Sequence, residues 1–193
     1  MLLGTLELGM FGTNCYIVGA KTSKEGMIID PGAEANTILK TVEKGGLNIK
    51  LIAITHGHMD HTGALEDVRK ATGASVAIHR ADADNLVRIL PSDVLLNGGE
   101  NLTIGDLKFN VIHTPGHSPG GICLYGQNTL FCGDTLFKGS IGRTDIGGDY
   151  NQLMNSIFSK LMVLPDETMV FPGHGPETTI GAERASNPFL RLR

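Results

Sequence analysis

The chain has 193 residues, 41% of them apolar, and 16 basic against 20 acidic residues leave a net charge of −4. That size supports one domain with a sizeable core, and the balance excludes a disordered chain and a nucleic-acid binder that works by neutralising phosphates. Charged residues make up 19%, too few for a coiled coil, while the 26 glycines are about twice the average usage and favour many short strands joined by tight turns.

Residues 2–8 and 15–18 read as strands around a turn at 9–14. The apolar run 26–29 ends at Asp30-Pro31-Gly32, a turn signal. Ile38, Leu39 and Val42 lie on one face of a helix over 35–43, which Gly45-Gly46 stops. The continuous apolar run 49–54 is a strand leading into Thr55-His56; a helix over 63–71 and a strand over 75–78 follow. A weaker helix is expected over 81–90, ended by Pro91. Residues 107–112 alternate as a strand, and 121–125 with 129–132 form a hairpin around Gly126-Gln127-Asn128. Leu153, Ile157 and Leu161 mark a helix over 150–162, and 169–171 is a last strand, broken by Pro172-Gly173.

No linker-like stretch divides the chain, so a single domain over 1–193 is expected. The absence of an 18-residue apolar run argues against a membrane span, and no basic segment precedes the first apolar residues as in a signal peptide. A cytoplasmic protein is expected, with Cys15, Cys123 and Cys132 as reduced, buried thiols.

The histidines carry the chemistry. Five of the seven follow strands in glycine-rich turns, and four metal-competent side chains crowd into His56-Gly57-His58-Met59-Asp60-His61. Such a cluster is costly to bury without partners. In extended backbone His56 and His58 project to one side, while Asp60 and His61 fall where a helix begins and can face a second point nearby. Neutral imidazoles and carboxylates suit Zn(II), Fe(II) or Mn(II). His117, Asp134 and His174 each follow a strand and have a glycine immediately before them. His79 and His113 read as structural.

These segments carry a resemblance. The runs 55–63 (Thr-His-Gly-His-Met-Asp-His-Thr-Gly), 114–120 (Thr-Pro-Gly-His-Ser-Pro-Gly), 133–137 (Gly-Asp-Thr-Leu-Phe) and 172–175 (Pro-Gly-His-Gly), with Asp30-Pro31-Gly32 before them, resemble the metallo-β-lactamase-fold superfamily in its short glyoxalase II-like branch. The resemblance implies an α/β fold, a four-layer αββα sandwich of two mixed sheets. It implies two divalent ions per chain, zinc first and iron or manganese also suited. His56, His58 and His117 would hold one ion, Asp60, His61 and His174 the other, and Asp134 would bridge them. Asp30 is a candidate to orient a ligand imidazole.

The implied activity is hydrolysis of small thioesters such as S-2-hydroxyacylglutathione by a hydroxide shared between the ions, with Asp60 and Asp134 as catalytic residues. No activated serine motif competes with that nucleophile. Only 19 residues follow His174, and Gly142-Arg143-Thr144-Asp145 stands where the longer glyoxalase II enzymes have glutathione-binding residues. Arg143 is the candidate substrate-binding cation; its structural alternative is an ion pair with Asp145 or Asp149. The Arg143-Thr144-Asp145 run also resembles mononuclear iron persulfide dioxygenases, and a lactonase-type hydrolase is a further alternative. The partner expected is a small-molecule substrate, with no nucleic acid and no membrane.

Overall fold

Strand β1 (Leu2–Leu8) turns back antiparallel into β2 (Thr13–Gly19), which pairs antiparallel with β3 (Glu25–Ile29). The chain then crosses through helix α1 (Ala35–Gly45) to β4 (Asn48–Ala53), parallel to β3. Two short helices follow, α2 (Met59–Thr62) and α3 (Leu65–Thr72), before β5 (Ser75–His79) and β6 (Val94–Leu96) extend the same sheet in parallel. Among the described residues this first sheet has the order β1-β2-β3-β4-β5-β6. The computed structural model describes residues 1–86, 89–90 and 93–191.

The second sheet is built from β7 (Asn101–Ile104), β8 (Leu107–His113), β9 (Ile122–Gly126) and β10 (Thr129–Gly133), all antiparallel neighbours. Gln127 and Asn128, both at positive φ, close the β9–β10 hairpin in the two-residue turn whose twist matches its strands. A small hairpin follows, β11 (Leu136–Phe137) with β12 (Ser140–Ile141). Helix α4 (Tyr150–Ser156) continues as a π-helical turn over Ile157–Leu161 and leads to β13 (Met169–Pro172), parallel to β10. β14 (Thr178–Thr179) and α5 (Ile180–Ser186) end the fold, and the sheet order is β14-β13-β10-β9-β8-β7.

Alternation along the strands sorts side chains into three apolar layers. Tyr16 and Val18 of β2 meet Phe109, Leu124, Phe131 and Phe171 of the second sheet in a core between the sheets. Their neighbours Cys15 and Ile17 pack instead with Ile38 and Val42 of α1 and Val68 of α3. Leu130 and Cys132 of β10 face Leu153, Ile157 and Ile180 of α4, its extension and α5. The result is the helix–sheet–sheet–helix order that the resemblance implied. Phe131 anchors the middle layer, with ring centroids 5.1 Å from Tyr16 and 5.3 Å from Phe171.

The helix expected over 81–90 is instead a 3₁₀ turn over Arg80–Asn85; residues 87 and 88 and the Pro91 stop lie outside the described residues. The side chain of His79 caps the turn, and Asp82 is drawn inward, so the helical repeat is not sustained. β6, β7, β11, β12, β14 and α5 were not expected, being too short or too polar for periodicity to reveal. Among the described residues no helix is long and apolar enough to cross a membrane.

All three cysteines are fully buried. Burial pushes each thiol up, Cys123 to about 11. Ellman's reagent at pH 8 is therefore expected to label none of them in the folded protein within minutes and all three after unfolding; a fast-reacting native thiol would contradict this packing.

Candidate metal centre

Strand ends deliver the charged and imidazole groups to one end of the sandwich. β4 runs into His56 and His58, α2 carries Asp60 and His61, and β8 leads to His117. Asp134 and His174 emerge side by side because β10 and β13 are parallel, with Gly133 opposite Pro172. His56 and His61 are almost fully buried, and His117 is 6% exposed.

The seven side chains predicted from the sequence converge. His117 Nε2 lies 3.2 Å from His56 Nε2 and 3.0 Å from His58 Nδ1. His174 Nε2 lies 3.3 Å from His61 Nε2 and 3.2 Å from Asp60 Oδ2. Asp134 stands between the two groups, with Oδ1 3.4 Å from His61 Nε2 and Oδ2 3.6 Å from His117 Nε2 and 3.5 Å from His174 Nε2. His56, His58 and His117 form one compact triad, Asp60, His61 and His174 another, and His56, His61 and Asp134 a third between them; within each triad the ligand atoms lie within 4.8 Å of one another.

The outer ring nitrogens determine what the inner ones present. His117 Nδ1 donates to the Arg143 carbonyl at 2.7 Å, and His174 Nδ1 to the Phe11 carbonyl at 3.1 Å. His61 Nδ1 donates to Asp30 Oδ2 at 2.9 Å. Thr55 gives its own proton to Asp30 at 2.6 Å and so accepts from His56 Nδ1 at 3.1 Å. Each bond places the neutral ring's proton on the outer nitrogen and leaves a lone pair at Nε2. Lone pairs facing one another at about 3 Å repel unless a cation or a proton lies among them.

The electrostatics follow. Burial lowers His56 and His58, helped by the other imidazoles. His61 is opposed by burial, but the charges of Asp30 and Asp134 and the hydrogen bond to Asp30 push it up to about 10. The Asp60 carboxyl is held well below the usual range, chiefly by its hydrogen bond to His174, which raises that histidine in turn. Burial works against an ionised Asp134, yet the neighbouring His61 and the surrounding imidazoles keep it well below the usual carboxylate range.

The residues fit a metal. Asp134 Oδ1 is buried without a hydrogen-bond partner, an expensive state that a cation relieves. Gly173 borders the same space: a Cβ there would overlap Asp134 Oδ1 and approach His61 Cε1 to 2.7 Å. Neutral imidazoles and carboxylates are donors for divalent transition metals.

The other sequence expectations resolve individually. Asp30 performs the orienting role suggested for it, accepting from Thr55 N at 2.7 Å as well. The Arg143 guanidinium is exposed and pairs with Asp145 at 2.7 and 2.8 Å, while its carbonyl reaches the histidines. His79 and His113 stack on each other at 3.9 Å, and His113 Nε2 donates to the Pro119 carbonyl. Sequence reasoning missed Asn14 and Tyr16. Asn14 donates to the carbonyls of Pro172 (3.0 Å) and Gly175 (2.8 Å), and Tyr16 OH donates to Pro172 O at 2.7 Å. They pin the His174 turn across 156–161 residues of chain; their only sequence signal is polarity inside an apolar strand.

Residues 8–174 match the model of the metallo-beta-lactamase superfamily. The chain belongs to this superfamily. It is 37% identical to the hydroxyacylglutathione hydrolase GloC of Haemophilus influenzae, over all of both chains. The solved structure of the BLEG-1 B3 metallo-beta-lactamase superposes with a TM-score of 0.90 at 38% identity, covering 99% of this chain and 100% of that one. TTHA1623 in a di-iron-bound form gives 0.87 at 36% identity over 97% and 100%. As a member of the metallo-β-lactamase superfamily the chain is a hydrolase, and its fold family implies divalent metal at the His/Asp cluster.

Asp30 accepts three hydrogen bonds in a site with 1% exposure. Asp30→Asn keeps the shape but turns an amide N–H toward a donor. It is expected to cost the metal-free protein about 2–3 kcal/mol in urea unfolding; a loss below about 0.5 kcal/mol, the range of an ordinary surface change, would remove Asp30 from this role.

Proposed function

We propose that the protein is a dinuclear metal-dependent hydrolase of small thioesters, acting on S-2-hydroxyacylglutathione or a close relative. The observation that carries this reading is the set of seven inward-facing donors in two triads with Asp134 between them. His56, His58 and His117 would hold one ion, and Asp60, His61 and His174 the other. Asp134, whose Oδ2 lies between His117 and His174 and whose Oδ1 faces His61, would be shared. When bound, divalent ions polarise a carbonyl and make hydroxide available near neutral pH.

The chain's own residues do the rest. Asp60 Oδ2, steadied by the Thr13 hydroxyl at 3.2 Å, stays ionised and can accept a hydrogen bond that orients an attacking water. Asp30 and the carbonyls of Arg143 and Phe11 keep three imidazoles from rotating. A thiolate leaves readily at neutral pH, since a thiol pKa is about 8.5, so no strong general acid is required. The similarity to GloC favours the glutathione thioester. The similarity to a B3 metallo-beta-lactamase makes a β-lactam the second substrate to assay.

Arg143 is the candidate for a substrate carboxylate. Its ion pair with Asp145 is largely exposed and weakly held, so an incoming carboxylate can replace it. Arg143→Ala is then expected to raise KM for S-lactoylglutathione roughly tenfold or more with a smaller change in kcat. An unchanged KM in a stable variant leaves Arg143 only its bond to Asp145.

The central test is metal analysis of the purified chain beside thioester and β-lactam hydrolysis. About two ions per chain and turnover of the thioester are expected, with zinc foremost and iron or manganese as the other candidates. Asp134→Ala should lower both metal content and turnover at least a hundredfold for the latter, on the order of a lost shared ligand. A fully loaded protein with one ion per chain, or turnover of the β-lactam alone, would overturn the proposal.

A further inference from the structure

One buried carboxylate outside the seven donors touches both turns of the three-histidine triad. Asp82 lies in the 3₁₀ turn Arg80–Asn85 and has no exposed surface. Its Oδ2 accepts from the backbone N–H of Gly57 at 2.9 Å, and its Oδ1 from that of Gly120 at 2.6 Å. Gly57 sits between His56 and His58; Gly120 is the third residue after His117. The fit is tight on both sides. A Cβ on Gly120 would lie 2.6 Å from Asp82 Cγ, and one on Gly57 would lie 2.7 Å from Asn85 Cβ and 2.9 Å from the Asp82 carbonyl.

The two turns grow from different sheets, His56 and His58 after β4 of the first and His117 after β8 of the second. Strand pairing within a sheet therefore does not set the distance between them; one backbone bond, from Ile122 N–H to the Thr55 carbonyl at 2.9 Å, joins their bases, and Asp82 joins the turns themselves. A carboxylate accepting two backbone amides makes short, charge-assisted bonds, roughly twice as strong as neutral ones. The second triad is braced elsewhere, by Asp30 behind His61 and by the Phe11 carbonyl behind His174.

We propose that Asp82 is a positioning residue that clamps the Gly57 and Gly120 amides and thereby sets the separation of His56 and His58 from His117, tuning that metal position selectively. The proposal rests on the reading that the seven donors hold two ions.

The test is stepwise Zn(II) titration of the parent, Asp82→Asn and Gly120→Ala by competition with a chromophoric chelator, with Co(II) absorption as a spectroscopic readout. Reference variants His117→Ala and His174→Ala identify which step belongs to which triad. Metal-free stability is measured in parallel. Asp82→Asn is expected to weaken the three-histidine position about ten- to a hundredfold and to change its Co(II) spectrum, leaving the other position within about threefold. Gly120→Ala pushes on the same carboxylate without changing charge and should show the same selective loss.

Unchanged affinities, or equal losses at both positions that follow a drop in metal-free stability, would overturn the clamp. So would failure of both variants to fold, which would make Asp82 a folding determinant. A parent that takes up fewer than two ions would sink the proposed dinuclear function first, whereas a two-ion parent with unselective variants sinks the clamp alone.

Discussion

Four of the five inward-facing imidazole lone pairs in this site are defined by a hydrogen bond on the far side of the ring. Asp30, Thr55 and the carbonyls of Arg143 and Phe11 hold the outer nitrogens of His61, His56, His117 and His174. An imidazole has one proton to place when neutral, so fixing it outside fixes the lone pair inside. Asp30 is the hub because it binds both His61 and the Thr55 hydroxyl that backs His56. One buried carboxylate thus orients a ring in each triad.

Those backing groups can be shared because the sandwich brings its strand ends together. β3, β4, β8, β10 and β13 finish at the same end, and Asn14 and Tyr16 of β2 tie down the turn after β13. The middle apolar layer, with Tyr16, Phe131 and Phe171, supplies the rigidity. Tyr16 belongs to both systems: its ring lies in that core while its hydroxyl holds Pro172. Core packing and site geometry are therefore coupled through one side chain.

The legible part of the sequence was the part with dense chemistry. His56 to His61 announced itself because four donors in six residues have no economical place in an apolar core. The long alternating or helical runs were legible for the same physical reason, since burial imposes a period. What stayed hidden was long-range or short. Asn14 lies inside a strand 158 residues from one of its acceptors, and no local pattern encodes that distance. Residues 81–90 read as a weaker helix, whereas in the turn Arg80–Asn85 tertiary hydrogen bonds from Gly57 and Gly120 hold Asp82 inward. For Arg143 the residue was noticed for its charge, yet the contact it makes with the histidines is through its carbonyl.

Gathering five imidazoles and two carboxylates without a cation is unfavourable, and the fold bears that cost through the three apolar layers. The cost has a direction. The carboxylates hold a proton on His61 up to about 10, whereas a metal ligand must be neutral at Nε2. A metal held by His61 would have to displace that proton, so its affinity is expected to rise with pH until the ring is already neutral. An ion that binds the folded arrangement and not the dispersed donors of an unfolded chain would add to folding stability, less the cost of removing that proton. Oriented rings would favour an ion, and an ion there would relieve the crowding of lone pairs and the unpartnered Asp134 oxygen.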